Sequence, residues 1–150
     1  MKPLTREWIE KVEGDYEAAG LLLRARRHPN YDASCFHAQQ GAEKYMKATL
    51  LEAEVPFERT HDLSALLDRL KELNPFWEAL RQAATILTDY AVRFRYPGST
   101  ADKAMAKNAL KACEFIRESV REYLISAGAS RKRTPKSPPR KRRQSRSKGE

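Results

Sequence analysis

Apolar residues recur every three or four positions from Leu4 to Leu124, and no stretch alternates with a period of two. That spacing lines apolar side chains along one face of an α-helix, so it predicts an all-α protein. Leu4, Trp8, Val12, Tyr16, Ala19, Leu22 and Leu23 define a first amphipathic helix from about Thr5 to Arg27. His28-Pro29-Asn30 breaks it. A second helix, from about Tyr31 to Glu54, sets Ala38, Ala42, Tyr45, Met46, Thr49 and Leu50 on one face. Pro56 and its charged neighbours make a loop, and Leu63, Leu66, Leu67, Leu70 and Leu73 mark a short third helix.

Asn74-Pro75 reads as a helix start, since Asn caps free N–H groups and Pro has none to leave unpaired. Phe76, Leu80, Ala83, Ala84, Leu87, Ala91 and Phe94 carry a fourth helix to about Arg95, where Pro97-Gly98 stops it. Ser99 followed by Asp102 resembles a capping box and opens a last helix through Leu124. Short connections make consecutive helices antiparallel neighbours. The expected architecture is an up-and-down bundle of four long helices plus one short helix.

Charge divides the chain differently from hydropathy. The 150 residues carry a formal net charge of +9, and the whole excess falls beyond residue 129. The end of the chain, SRKRTPKSPPRKRRQSRSKGE, holds three prolines and no large apolar residue. Such a segment cannot bury enough surface to offset its ordering entropy. The expected organisation is a helical domain over 1–126 and a disordered basic tail over 127–150. A tail of that kind attracts polyanions such as RNA, with a steep salt dependence. Two cysteines make no disulfide framework, and no apolar run has the length of a membrane span. The expectation is a cytoplasmic protein with no membrane association.

Several chemistries lack their residues. The six glycines form no phosphate-binding loop, and His28, His37 and His61 show no spacing suited to a metal. Cys35 and His37, two apart on a helix, point in divergent directions, and no Glu-x-x-His pair supports a di-iron centre. Neither metal nor cofactor is expected. Two constellations remain. His37, Gln40, Lys44 and Lys47, flanked by Glu43, share one arc of the second helix and offer cations, an amide and an imidazole to a phosphate or a base edge. Arg93, Arg95 and Tyr96 close the fourth helix, where a phosphate-and-stacking corner competes with ordinary C-terminal capping. His61-Asp62 precedes the third helix, with Asp62 placed to cap it.

Trp8, Asp15-Tyr16, the run CFHAQQGAEKYMKA from Cys35 to Ala48, His61-Asp62-Leu63 and Arg95-Tyr96-Pro97 together resemble prokaryotic HEPN-domain proteins. The resemblance spans about residues 4–124 and is most specific in the HAQQGAEKYMKA stretch. It implies a helical bundle, commonly a homodimer, with a role in nucleotide or RNA transactions. It also implies a minimal nucleotidyltransferase as partner in a two-component, toxin–antitoxin-like pair. HEPN ribonucleases resemble one another in an Arg followed, after four to six residues, by a His. Counted from Arg95 those positions hold Thr100, Ala101 and Asp102, and from Arg93 they hold Gly98, Ser99 and Thr100.

The leading expectation is therefore a nucleotide- or RNA-phosphate-binding protein rather than an enzyme. Its ligand residues would be His37, Gln40, Lys44, Lys47, His61, Arg93, Arg95 and Tyr96, with no catalytic residue assigned. The alternatives are a metal-independent RNase toxin with a composite site at a dimer interface, or a purely protein-binding regulatory module.

Overall fold

Small residues make α2 (Tyr31–Glu52) the axis of the molecule. Ala38, Ala42 and Ala48 are fully buried, and they let α1 (Pro3–Arg24), α3 (Leu63–Leu70), α4 (Arg81–Arg93) and α5 (Lys103–Lys132) all pack directly on it. The computed structural model describes residues 1–132, and every regular element among them is helical. Four long helices and the short α3 form the expected bundle. At Gly41, an added Cβ would lie 3.3 Å from Cys113 Sγ on α5 and 3.8 Å from the Asp15 side chain on α1. The three longest helices meet at that point, and glycine's bare backbone is what allows it.

The ends differ from the periodic reading in instructive ways. α1 stops at Arg24, short of Arg27, because Ala25 turns to extended backbone and His28 adopts a left-handed φ of 52°. α2 ends at Glu52, and Glu54 reverses the chain with a φ of 59°. Asn74 caps as expected, its side chain accepting from Phe76 N at 3.1 Å, but the next six residues form a 3-10 segment, Pro75–Leu80. With three residues per turn, that segment turns Trp77 inward and leaves Phe76 88% exposed, the reverse of the α-helical reading. α5 is capped by Asp102, which accepts from Met105 N at 2.8 Å, and Ser99 lies outside the helix. α5 also continues past Leu124 to Lys132, into the span expected as tail. The remaining tail, 133–150, lies outside the described residues.

A polar lock ties α1, α2 and α5 together. Tyr45 on α2 donates to Glu13 on α1, and Arg117 on α5 donates to Glu13 Oε2 at 2.9 Å and to the Tyr45 hydroxyl at 3.0 Å. The Arg117 guanidinium lies 4.6 Å from the centre of the Tyr16 ring. Partial burial opposes ionisation of Glu13, yet its bonds from Arg117 and Tyr45 prevail and hold the carboxyl below its ordinary value of 4.5. Core burial also accounts for the cysteines. Both are buried and free, and burial pushes the thiols of Cys35 and Cys113 up to about 11 and about 12. Burial therefore disfavours the thiolate form of both.

Candidate functional site

A helix covered on all sides must find partners for every polar residue it carries. In α2 those partners divide the expected stripe in two. His37 Nδ1 lies 3.0 Å from Asp15 Oδ1, and Lys44 Nζ lies 2.6 Å from Asp15 Oδ2, so both turn to α1. Gln40, Lys47 and His61 join a different acid. Glu43 receives Lys47 Nζ at 2.7 Å and Gln39 Nε2 at 2.8 Å, and His61 Nδ1 lies 3.1 Å from both its oxygens. Gln40 completes the chain by donating to Gln39 Oε1 at 2.9 Å.

Glu43 is the hub of this second cluster. Its side chain is 5% exposed, that of His61 78%. Burial raises the carboxyl, but donors from Lys47, Gln39 and His61 outweigh it and hold Glu43 below its ordinary 4.5. An ionised carboxylate only accepts, so the proton of the shared bond sits on His61 Nδ1, and Nε2 takes no part in that bond. The backbone around His61 is fixed by capping. Asp62 Oδ1 accepts from Ser64 N at 2.9 Å, as its position before the third helix predicts, and Thr88 Oγ1 on α4 accepts from Leu63 N at 3.1 Å.

His61 faces a cleft of about 230 Å³ walled by Gln39, Asp62, Thr88, Ala91, Val92 and Arg95. Arg95 is exposed, makes no ion pair among the described residues, and stands 5.8 Å from the centre of the Phe36 ring. It also borders a second hollow with Phe36, Tyr90 and Phe94. Arg93 does not share this cleft. Its guanidinium is bound to Asp89 at 2.7 Å on the exposed side of α4 and stacks beside Tyr90 and Phe94. Tyr96, 64% exposed, follows the helix end. The fold thus gathers His61 and Arg95, links Gln40 and Lys47 to them through Gln39 and Glu43, and sends His37, Lys44 and Arg93 elsewhere.

The residue pattern does not single out Gln39, Thr88 or the hub role of Glu43. Gln39 and Glu43 carry one visible signal, their i, i+4 amide–carboxylate spacing, and Thr88 carries none. Among the described residues no three His, Cys, Asp or Glu side chains converge as a metal-ligand set, and no helix is long and apolar enough to cross a membrane. A pH prediction follows from Glu43 and Glu13. Both carboxyls are held low in the folded protein, so their contribution is complete above about pH 4.5 and is lost as pH falls below it. Urea midpoints should be level from pH 7 to about pH 5 and decline below that, less steeply in Glu43→Gln.

These features define an α-helical bundle protein with a cleft between α2, α4 and the loop that precedes α3. The HEPN-domain family model matches residues 5–123, and the chain belongs to that family. The crystal structure of ST0689, an archaeal HEPN homologue, is similar over 82% of this chain and 98% of its own, with 25% identity and a TM-score of 0.65. That of TT1696 from Thermus thermophilus is similar over 79% and 96%, with 28% identity and a TM-score of 0.62. No curated protein matches the chain.

Proposed function

We propose that the protein binds a nucleotide or RNA phosphate in the cleft between His61 and Arg95. The observation carrying this reading is the pairing of an unneutralised guanidinium with an imidazole that a buried carboxylate holds in place. Arg95 supplies a forked donor for phosphate oxygens, His61 a second contact at Nε2, and the apolar wall of Ala91 and Val92 a surface for a base or ribose. His37, Lys44 and Arg93 already face carboxylates, so they contribute less than their charge suggests. Calorimetric titration of the full chain with adenosine monophosphate tests the site. Arg95→Ala or His61→Ala should weaken binding about tenfold, and Lys44→Ala should leave it within about twofold. Equal affinity in all three variants rejects the site.

A second reading, metal-independent RNA cleavage, has one observation in its favour. An imidazole oriented by a carboxylate is a familiar general base, and abstraction of a 2′-hydroxyl proton is what such cleavage requires. Cleavage of RNA in the presence of chelator, lost in His61→Ala, is its expected result, and intact RNA rejects it. Homodimerisation, a minimal nucleotidyltransferase partner in a toxin–antitoxin-like pair, and a cytoplasmic setting rest on the family resemblance and composition. Co-purification with a small nucleotidyltransferase would test the partnership.

A further inference from the structure

Beside the N-terminal end of α2, four cations line one groove with no acid among its walls. The groove, about 600 Å³, is bordered by Arg24, Arg26, Tyr31, Lys103 and Lys107. Its cations come from separate segments. Arg24 ends α1, Arg26 lies in the bend after Ala25, and Lys103 and Lys107 are one turn apart on α5. All four are exposed, and none makes an ion pair among the described residues. The acids nearest in sequence are occupied with backbone. Asp32 accepts from Ala101 N at 2.6 Å, and Asp102 caps Met105 N.

The loop that brings Arg26 back is held in place. Asn30 N donates to Leu22 O at 3.2 Å, while the Asn30 side chain caps α2 through Ala33 N. Gly20 makes room for Arg24, whose guanidinium lies 2.6 Å from where a Cβ would stand. Like charges gathered from three segments repel one another, and a multivalent anion relieves that repulsion. We propose that this groove binds the polyphosphate chain of a nucleotide, either free or at the 5′ end of an RNA strand. Convergence on one compact hollow, rather than spread along a surface track, matches the dense charge of a di- or triphosphate. The volume lies within the range of small-ligand sites, and half-buried Tyr31 gives the nucleoside a ring to rest on. The groove shares no residue with the His61–Arg95 cleft, so either site can fail without the other.

Calorimetry with inorganic triphosphate reads the groove, using full-length Arg95→Ala as background so that the cleft does not contribute. Adding Arg24→Glu and Lys107→Glu should weaken triphosphate binding at least about tenfold. Adding Arg6→Glu and Arg59→Glu, exposed cations elsewhere and an equal change of net charge, should alter it by less than about twofold. The milder Arg24→Gln/Lys107→Gln pair should keep the same order, with melting unchanged in every variant. Equal losses in the groove and control variants would overturn the proposal, because net charge or the basic tail would then suffice. Absence of triphosphate binding by the background chain would overturn it too. Competition by magnesium-free ATP against a short 5′-triphosphorylated RNA then tells free nucleotide from strand end.

Discussion

Glu43→Ala should lower the free energy of unfolding by about 3 kcal/mol, far more than its single lost side chain suggests. The carboxylate is 5% exposed and Lys47 beside it 14%, so truncation leaves a largely buried ammonium without its acceptor and the Gln39 amide with only a long 3.5 Å bond to His61 O. Removing one partner of a buried pair costs much more than the pair is worth, because the survivor's desolvation goes uncompensated. Glu43→Gln retains one acceptor and should cost about half as much. The surface pair Arg93–Asp89, about half exposed on both sides, gives the contrast: Arg93→Ala should cost less than about 1 kcal/mol. Urea unfolding followed by circular dichroism measures all three. A cost below about 1 kcal/mol for Glu43→Ala would mean that water reaches the cluster and that His61 is not held by it.

Trp77→Ala should be destabilising by about 3–4 kcal/mol, whereas Phe76→Ala should fall within about 0.5 kcal/mol of the parent. The two aromatic rings are adjacent in sequence and opposite in burial, at 6% and 88% exposure. Trp77 meets Tyr123 of α5 edge to face at a centroid distance of 5.5 Å, so its loss opens a void and removes an aromatic pair. Thermal or urea denaturation decides between the two geometries. An α-helical start to the fourth helix would make Phe76 the costly substitution, and that outcome would contradict the 3-10 segment.

Glu43 and Trp77 mark where local pattern stops being informative. Helix number, order and class are legible because leucine and alanine spacing recurs through each element, and Asn74 and Asp62 announce helix starts by chemistry that needs no tertiary partner. The inward side of residues 75–80 is not legible, since three residues per turn and 3.6 per turn assign adjacent positions to opposite faces. The binding stripe divides for a related reason. Angles around α2 place His37, Gln40, Lys44 and Lys47 on one arc, but they do not reveal that Asp15 of α1 waits for two of them. Arg95 is legible as a helix-end cation, while its lack of an ion pair among the described residues is a property of the packed bundle. The groove beside Arg24 shows the limit most plainly, with residues 24 and 107 brought together only by the fold.

A phosphate-bearing ligand between His61 and Arg95 is the proposal on which the functional reading rests. Imidazole ¹⁵N resonances of the full-length protein, followed during titration with adenosine monophosphate, would report its arrival at the site itself. The His61 nitrogens should shift progressively, Arg95→Ala should move that titration to about tenfold higher ligand concentration, and His37, engaged with Asp15, should stay in place. Movement of His37 with His61 unchanged would contradict the assignment.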